Sequence, residues 1–249
     1  MRLAKKKIIV TGGGSGFGAA MSRLFVKEGA QVLVADLNGA AAEKVAREIG
    51  PGALPFTADV ADGKQVKAMV EKAVSAFGDL DGVVNNAGYT HKNMPMLDVD
   101  EASFDRVYDV NVKSIYWAAQ AAVPVFRKRG GGVFLNIAST AGIRPRPGLS
   151  WYNGSKAAAI ILTRSMAVEL APDKIRVNAL CPVMGATGML ESFMGMPDTP
   201  QNRAKFVGTI PLGRLAEAED IAKAAIYFLA DESDFITGVC MPVDGGRTI

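Results

Sequence analysis

The sequence predicts an α/β protein built on a single doubly wound parallel β-sheet with helices on both faces. Three observations predict it. Short Val- and Ile-rich runs alternate with helical stretches along the chain. Those runs are apolar throughout, as strands covered on both faces are, rather than apolar at every second position. A glycine-rich stretch closes the first run and opens the first helix. The 249 residues fit one domain over 1–249, since α/β folds reach about 250 residues as one unit.

The elements follow in order. Residues 7–11 (Lys-Ile-Ile-Val-Thr) read as a buried strand, followed by glycines and a helix to about Glu28. Residues 31–36 are a second strand, and 39–49, rich in Ala and Glu at helical spacing, a second helix. A third strand spans 53–57, a third helix 62–77 and a fourth strand 80–85. A long helical stretch covers about 102–129. The fifth strand is 132–138, the next helix 150–170 and the sixth strand 175–180. A helix at 217–230 places Ile221, Ala224, Ala225, Phe228 and Leu229 on one face. Residues 239–243 are the last strand. The stretch from Pro182 to about Pro211 reads as irregular, and its length suits a substrate lid, placed at about 184–211. Doubly wound sheets bind ligands beyond the carboxyl ends of their strands, so function is expected there.

Composition excludes several functions. The net charge is +3 and the basic residues are scattered, with Lys5-Lys6-Lys7 a solvated lead-in to the first strand. Nucleic acid or a membrane surface is therefore not expected as a partner. Cys181 and Cys240 form no CxxC pair, which fits a reducing compartment and no disulfide framework. One histidine, His91, excludes HExxH sites and multi-histidine metal cages, so no metal is expected. His91 lies in a polar Thr-His-Lys-Asn stretch and reads as a loop residue. The charged N-terminus leads into no long apolar core, and no apolar run approaches the ~18 residues of a membrane span. A soluble, cytoplasmic protein is expected.

Thr11-Gly12-Gly13-Gly14-Ser15-Gly16-Phe17-Gly18 lies between the first strand and its helix. Glycines let backbone approach a pyrophosphate, and the helix N-terminus offers free N–H groups and partial positive charge. No Gly-Lys-Ser/Thr follows, so this is not a Walker A loop. Asp36 ends the second strand, where a carboxylate can accept both ribose hydroxyls of an adenosine and repel a 2′-phosphate. Ser15 and Leu37 supply no cation for such a phosphate, so NAD(H) is favoured over NADP(H). Tyr152 and Lys156, four residues apart on one helix, share a face. Ser139 follows the fifth strand, Asn111 lies in the long helical stretch, and Asn85-Asn86-Ala87-Gly88 ends the fourth strand.

Taken together, these motifs resemble the classical short-chain dehydrogenase/reductase family, with its Rossmann-type fold, over about Lys7 to Gly246. The Asp59-Val60 pair and Val243-Asp244-Gly245-Gly246 match as well. The resemblance implies hydride transfer with NAD between a nicotinamide and a secondary alcohol or ketone, such as a polyol, sugar or hydroxy acid. It makes Tyr152 the general acid or base, with Lys156 and the oxidised nicotinamide together lowering its pKa and Lys156 holding the nicotinamide ribose. It gives Ser139 the substrate oxygen and Asn111 a relay water. Asp59 is expected at the adenine, and Asn86, Ala87 and Gly88 at the ribose. A 3-oxoacyl thioester reductase is the alternative, and a non-catalytic NAD(H) sensor a remoter one. The chain departs from the family after the sixth strand. Pro182 is followed by Val183, and Gly185 stands where a β-branched residue usually meets the nicotinamide amide; Thr187 still matches. Gly154 stands where alanine is commoner. The family also implies a homotetramer built on the helices at 102–129 and 150–170, which the sequence alone does not separate from a dimer.

Three features bear on a small-molecule substrate. Arg144 or Arg146, in a Pro-stiffened loop, suits either a substrate anion or a surface or subunit contact. Trp151 either walls the pocket or packs elsewhere. Met94, Met96, Met184, Met189, Met194 and Met196, with Phe193, gather in two loops near the expected mouth. They suit an adaptable apolar wall or lid and subunit packing alike.

Overall fold

The computed structural model describes residues 1–185, 188 and 190–249. Its strands are β1 (Lys7–Thr11), β2 (Gln31–Asp36), β3 (Ala53–Thr57), β4 (Gly82–Asn85), β5 (Gly132–Ile137), β6 (Ile175–Pro182) and β7 (Cys240–Val243). They form one parallel sheet in the order β3-β2-β1-β4-β5-β6-β7. The strand order reverses between β1 and β4, which opens a crevice at their carboxyl ends. The helices are α1 (Gly16–Lys27), α2 (Gly39–Ile49), α3 (Gly63–Phe77), α4 (Glu101–Tyr108), α5 (Ser114–Arg129), α6 (Ser150–Leu170), α7 (Leu190–Met194), α8 (Pro200–Val207) and α9 (Ala218–Leu229).

Side chains alternate across the pleated sheet, so each strand feeds two cores. Val10, Val34, Val84 and Leu135 pack with Met21 and Phe25 of α1 and Phe228 of α9. Their neighbours Ile9, Leu33, Val83 and Phe134 pack on the opposite face with Met69 of α3 and Phe126 of α5. The four phenylalanines named are fully buried, each worth about 1.5–3 kcal/mol of hydrophobic stabilisation. This burial on both faces is why the strands read as unbroken apolar runs.

Three segments differ from expectation. The stretch at 102–129 is α4 and α5 joined by a wide turn at Asp109–Lys113, in which the Ser114 N–H reaches the Asp109 carbonyl five residues back. That is one residue more than an α-turn, a π-type bulge of the kind found at functional sites. The stretch at 182–211 is not structureless. Pro200 sits in the first turn of α8 and the Thr199 hydroxyl accepts from the Asn202 N–H, a strong helix start. Val183, Met184, Leu190, Met194, Ile210 and Ala216 then form a small core of their own. His91 does lie in a loop, yet it is buried, with Nδ1 2.8 Å from the Lys92 carbonyl and Nε2 without a partner.

Both cysteines are free. Among the described residues, no helix is long and apolar enough to cross a membrane, and no cluster of His, Cys, Asp and Glu could hold a metal ion.

Candidate active site

A cleft of about 410 Å³ runs along the carboxyl ends of the strands. Its floor at one end is the loop between β1 and α1. Gly12 there adopts φ +62°, a conformation that favours glycine. A Cβ on Gly18 would lie 2.0 Å from the Gly12 carbonyl oxygen. Gly18 is thus required by close packing and, unlike Gly12, Ser15, Gly16 and Phe17, does not line the cleft. Helix α1 has no side-chain cap and no acidic residue in its first turn. By contrast Asn38, Asp62 and Asp100 cap α2, α3 and α4 with side-chain oxygens. The first N–H groups of α1 are therefore left for an anion.

Asp36 and Leu37 line the cleft beside that loop. Asp36 Oδ2 accepts from the Gly14 N–H and Oδ1 from the Asn38 N–H, both at 2.9 Å. The carboxylate thus shapes the glycine loop as well as lining this end of the cleft.

Asp59 and Val60 also line it. Burial alone would raise the Asp59 pKa, but the Ala61 N–H and the Arg106 guanidinium outweigh it and hold the carboxyl below its usual range. Arg106 Nη1 lies 2.9 Å from Asp59 Oδ2 and borders the cleft too. The sequence reading missed Arg106, which a side chain one helical turn and more before Asn111 gives little reason to single out.

Asn86, Ala87 and Gly88 line the middle of the cleft. The Asn86 amide donates to the Thr11 and Gly12 carbonyls at 2.8 and 3.2 Å, tying the β4 loop to the glycine loop. A Cβ on Gly88 would lie 3.5 Å from Asn111 Oδ1 and 3.6 Å from Lys156 Nζ. The spot beside Gly88 therefore touches both groups.

At the far end stand Ser139, Tyr152 and Lys156. Ser139 Oγ accepts from the Ala141 N–H at 3.1 Å. Tyr152 and Lys156 are buried on α6, and Lys156 Nζ lies 5.9 Å from the Tyr152 ring centre. Nζ donates to the Ile137 carbonyl at 2.9 Å. Burial pushes the Tyr152 phenol up to about 12, against the pull of the Ser139 hydroxyl. Burial likewise brings the Lys156 ammonium down to about 8, opposed by Cys181. In the protein alone the phenol is thus raised rather than lowered, because desolvation of the phenolate is opposed by the Ser139 hydroxyl alone.

Asn111 is buried in the wide turn and does not itself line the cleft. Its Nδ2 donates to the Tyr89 carbonyl at 2.8 Å and to Ser155 Oγ at 3.0 Å, and its Oδ1 accepts from the Tyr89 N–H at 2.9 Å.

Pro182, Val183 and Gly185 form the opposite wall. A Cβ on Gly185 would lie 2.5 Å from Cζ and 2.8 Å from Cε1 of Phe17. The missing β-branched side chain at 185 is thus compensated by the aromatic ring at 17. Thr187 and Met189 lie outside the described residues.

Of the remaining candidates, Arg146 lines the cleft and Arg144 does not; Arg144 Nη1 donates to the Arg247 carbonyl at 2.9 Å. Trp151 packs away from the cleft, with Nε1 on the Met96 carbonyl at 3.1 Å and its ring edge-on to Phe104. The methionine wall is smaller than expected. Met184 and Phe193 reach the cleft, whereas Met194 is buried in the small core and Met96 is exposed. Tyr89 and Leu149 line the cleft without having stood out in the sequence. A Cβ on Gly154 would lie 2.9 Å from Tyr108 Oη, so alanine there would require that phenol to shift.

Comparison with known proteins follows the same lines. Residues 12–248 match the family model described as enoyl-(acyl carrier protein) reductase. The chain is 51% identical to 4-formylbenzenesulfonate dehydrogenase of Comamonas testosteroni, over the full length of both. It is 37% identical to 2-(S)-hydroxypropyl-CoM dehydrogenase 3 of Xanthobacter autotrophicus, over 99% of this chain and 98% of that one. The crystal structure of 3-ketoacyl-(acyl-carrier-protein) reductase from Brucella melitensis complexed with NADH superposes with a TM-score of 0.94 at 44% identity, covering 99% of this chain and 100% of that one.

Proposed function

The chain belongs to the short-chain dehydrogenase/reductase family, and from that membership we propose an NAD(H)-dependent oxidoreductase that interconverts an alcohol and its carbonyl compound, with Tyr152 as the acid and base. The observation that carries the reading is one continuous cleft with an uncapped helix N-terminus and Asp36 at one end and Ser139, Tyr152 and Lys156 at the other.

The residues present fit NAD(H). The open N–H groups of α1 suit the pyrophosphate, and Gly18 lets the loop close tightly beneath it. Asp36 suits the adenosine ribose hydroxyls and disfavours a 2′-phosphate. When bound, NAD⁺ would supply the hydride acceptor and NADH the hydride donor. In the oxidative direction Tyr152 Oη takes the substrate hydroxyl proton; in the reductive direction it returns one. Ser139 orients the substrate oxygen. Lys156 stabilises the phenolate, and the spot beside Gly88 suits a water held by Asn111 that links Lys156 to solvent as a proton relay. The segment carrying α7 and α8 closes over the substrate and excludes bulk water.

The 51% identical relative is named for an aryl aldehyde bearing a sulfonate, so aromatic alcohols and aldehydes stand beside the secondary alcohols as substrates. A second reading, reduction of a 3-oxoacyl thioester, is favoured by the NADH-complexed structural neighbour. Purified protein with NAD⁺ or NADH, read at the nicotinamide absorbance against benzylic and secondary alcohols, hydroxy acids and an acetoacetyl thioester, separates these. Turnover of an alcohol–carbonyl pair that disappears in Tyr152→Phe, with NADH affinity retained, is the expected result. Full activity of Tyr152→Phe would refute the mechanism.

A further inference from the structure

We propose that Arg146 anchors an anion in the cleft, so that the substrate carries a carboxylate or sulfonate at the end remote from its reacting hydroxyl or carbonyl. The inference rests on the reading of this cleft as the substrate site and adds the class of substrate.

Arg146 borders the same cleft as Tyr152, with Leu149 and Phe193. Its guanidinium carbon lies 5.2 Å from the centre of the Phe206 ring on α8, a cation–π contact that steadies it from the lid side. The backbone beneath is pinned. Asn153 Nδ2 donates to the Arg146 carbonyl at 2.8 Å, and Asn93 Nδ2 to the Pro147 carbonyl at 3.0 Å. Pro145 and Pro147 flank it and stiffen the loop.

The charge on Arg146 is not balanced by the protein around it. Among the described residues no carboxylate perturbs it; the charge that does is Arg247, of the same sign. Arg247 is itself short of partners, with Nε and Nη1 buried and unbonded. Arg144 lies close enough to Arg247 to repel it. The nearby carboxylate, Asp244, already accepts from the Gly246 N–H, the Thr248 N–H and the Thr248 hydroxyl. Arg146 and Arg144 thus each lie near Arg247, whose neighbouring carboxylate is already committed, and of the three arginines Arg146 is the one that borders the cleft. Burial of an unpaired cation is unfavourable, and an incoming oxyanion would offset it. Arginine suits that role, since its planar fork binds a carboxylate or sulfonate through two hydrogen bonds.

The wall next to Arg146 is apolar. Leu149 is buried, and the Phe193 ring stands edge-on to Tyr152 at 5.1 Å. Such a wall suits a flat aromatic spacer between the anion and the reacting carbon.

Calorimetry on the NADH-saturated protein tests this with two pairs of probes: benzenesulfonate against benzenesulfonamide, and benzoate against benzamide. Each pair keeps its shape and changes its charge. The anion should bind about 10- to 150-fold more tightly in at least one pair, as expected for hydrogen bonds to a charged group, and the pair that responds identifies the oxyanion. Arg146→Gln should bring that ratio close to 1 while NADH affinity stays unchanged, which also shows that the variant is folded. Arg146→Lys should keep part of the ratio, and Arg144→Gln all of it. No preference for either anion in the unmodified protein, or a preference that survives Arg146→Gln, overturns the proposal. Tyr152→Phe should leave the ratio intact while abolishing turnover, so loss of the hydride-transfer reading and loss of the anion reading give different results.

Discussion

Gly185→Ala is expected to disturb both stability and cofactor binding, and Phe17→Leu to relieve the disturbance. The added Cβ would sit 2.5 Å from Phe17 Cζ, 2.8 Å from Cε1 and 3.3 Å from the Ala216 carbonyl oxygen. Carbon–carbon contacts relax at about 3.5–4.0 Å, so the ring must move by roughly 1 Å. The strand-like pairing of Gly185 with Ala216 resists movement from its side. Overpacking of this kind costs about 1–3 kcal/mol. The ring borders the cleft, so its displacement would reshape the cleft wall, and NADH affinity should fall about 10-fold, or about 1.4 kcal/mol. Phe17→Leu removes the atoms nearest the clash. The double variant should therefore show a coupling of at least about 1 kcal/mol, within the range seen for residues in contact. Urea denaturation and NADH fluorescence titration of the four proteins measure it. Additivity within about 0.5 kcal/mol in both assays would refute the idea that Phe17 takes the room of the missing side chain.

Four further outcomes are expected. Asp36→Ala should weaken NADH and narrow the gap to NADPH, and should also destabilise the fold by about 1–3 kcal/mol, because the Gly14 and Asn38 N–H groups lose their acceptor; equal affinity of the unmodified protein for both cofactors would defeat the carboxylate argument. Gly88→Ala, whose Cβ fills the spot between Asn111 Oδ1 and Lys156 Nζ, should lower kcat about 10-fold or more with little change in NADH affinity, and an unchanged kcat would remove the relay from that spot. Burial holds the folded Lys156 pKa at about 8, below its value of 10.5 in the unfolded chain, so the unfolded state binds the extra proton between these values and stability due to this group rises with pH across 8–10.5; the stability difference between the unmodified protein and Lys156→Met should shift in favour of the former over that window, and a flat difference would contradict the burial. Cys181 and Tyr152 act in the opposite sense, since burial raises both to about 12, and Cys181→Ala should soften the loss of stability expected from pH 9 upward.

The strands and most helices were legible because periodic apolar residues and glycine punctuation are local signals. The glycine-rich end of the cleft was legible for the same reason: the residues from Gly12 to Gly18, and Asp36 at a strand end, lie within one βαβ unit. What escaped the sequence depends on contacts between distant segments. Gly185 reads as a departure until Phe17 is seen against it, 168 positions away. Arg146 and Arg144 are alike in the sequence, and only the path of the loop turns one toward the cleft and the other toward Arg247. Trp151 and Tyr152 are adjacent on α6, yet their side chains diverge by about 100°, which sends Trp151 to Phe104. The segment at 182–211 lacked a periodic signal because α7 and α8 are short, with Leu190 and Met194 of α7 buried and Phe206 of α8 partly buried in a small core beside the end of β6 rather than on the main sheet.

The wide turn at Asp109–Lys113 shows how a local defect can serve the site. Asn111 and Ser114 are poor helix formers whose side chains compete for backbone groups. Ser114 Oγ bonds the Val110 carbonyl at 2.6 Å. The extra residue in the turn rotates α5 relative to α4, so that α4 faces Trp151 and Asp59 through Phe104 and Arg106 while α5 packs on α3 and β5. At the junction Asn111 meets both the Tyr89 backbone and Ser155. It therefore holds the loop after β4 against α6, one residue from Lys156. An uninterrupted helix would place either the Asp59 contact or the α3 packing out of register. On this reasoning the bulge is maintained because two faces of one long helix must satisfy different neighbours, with Asn111 fixing the point where they change over.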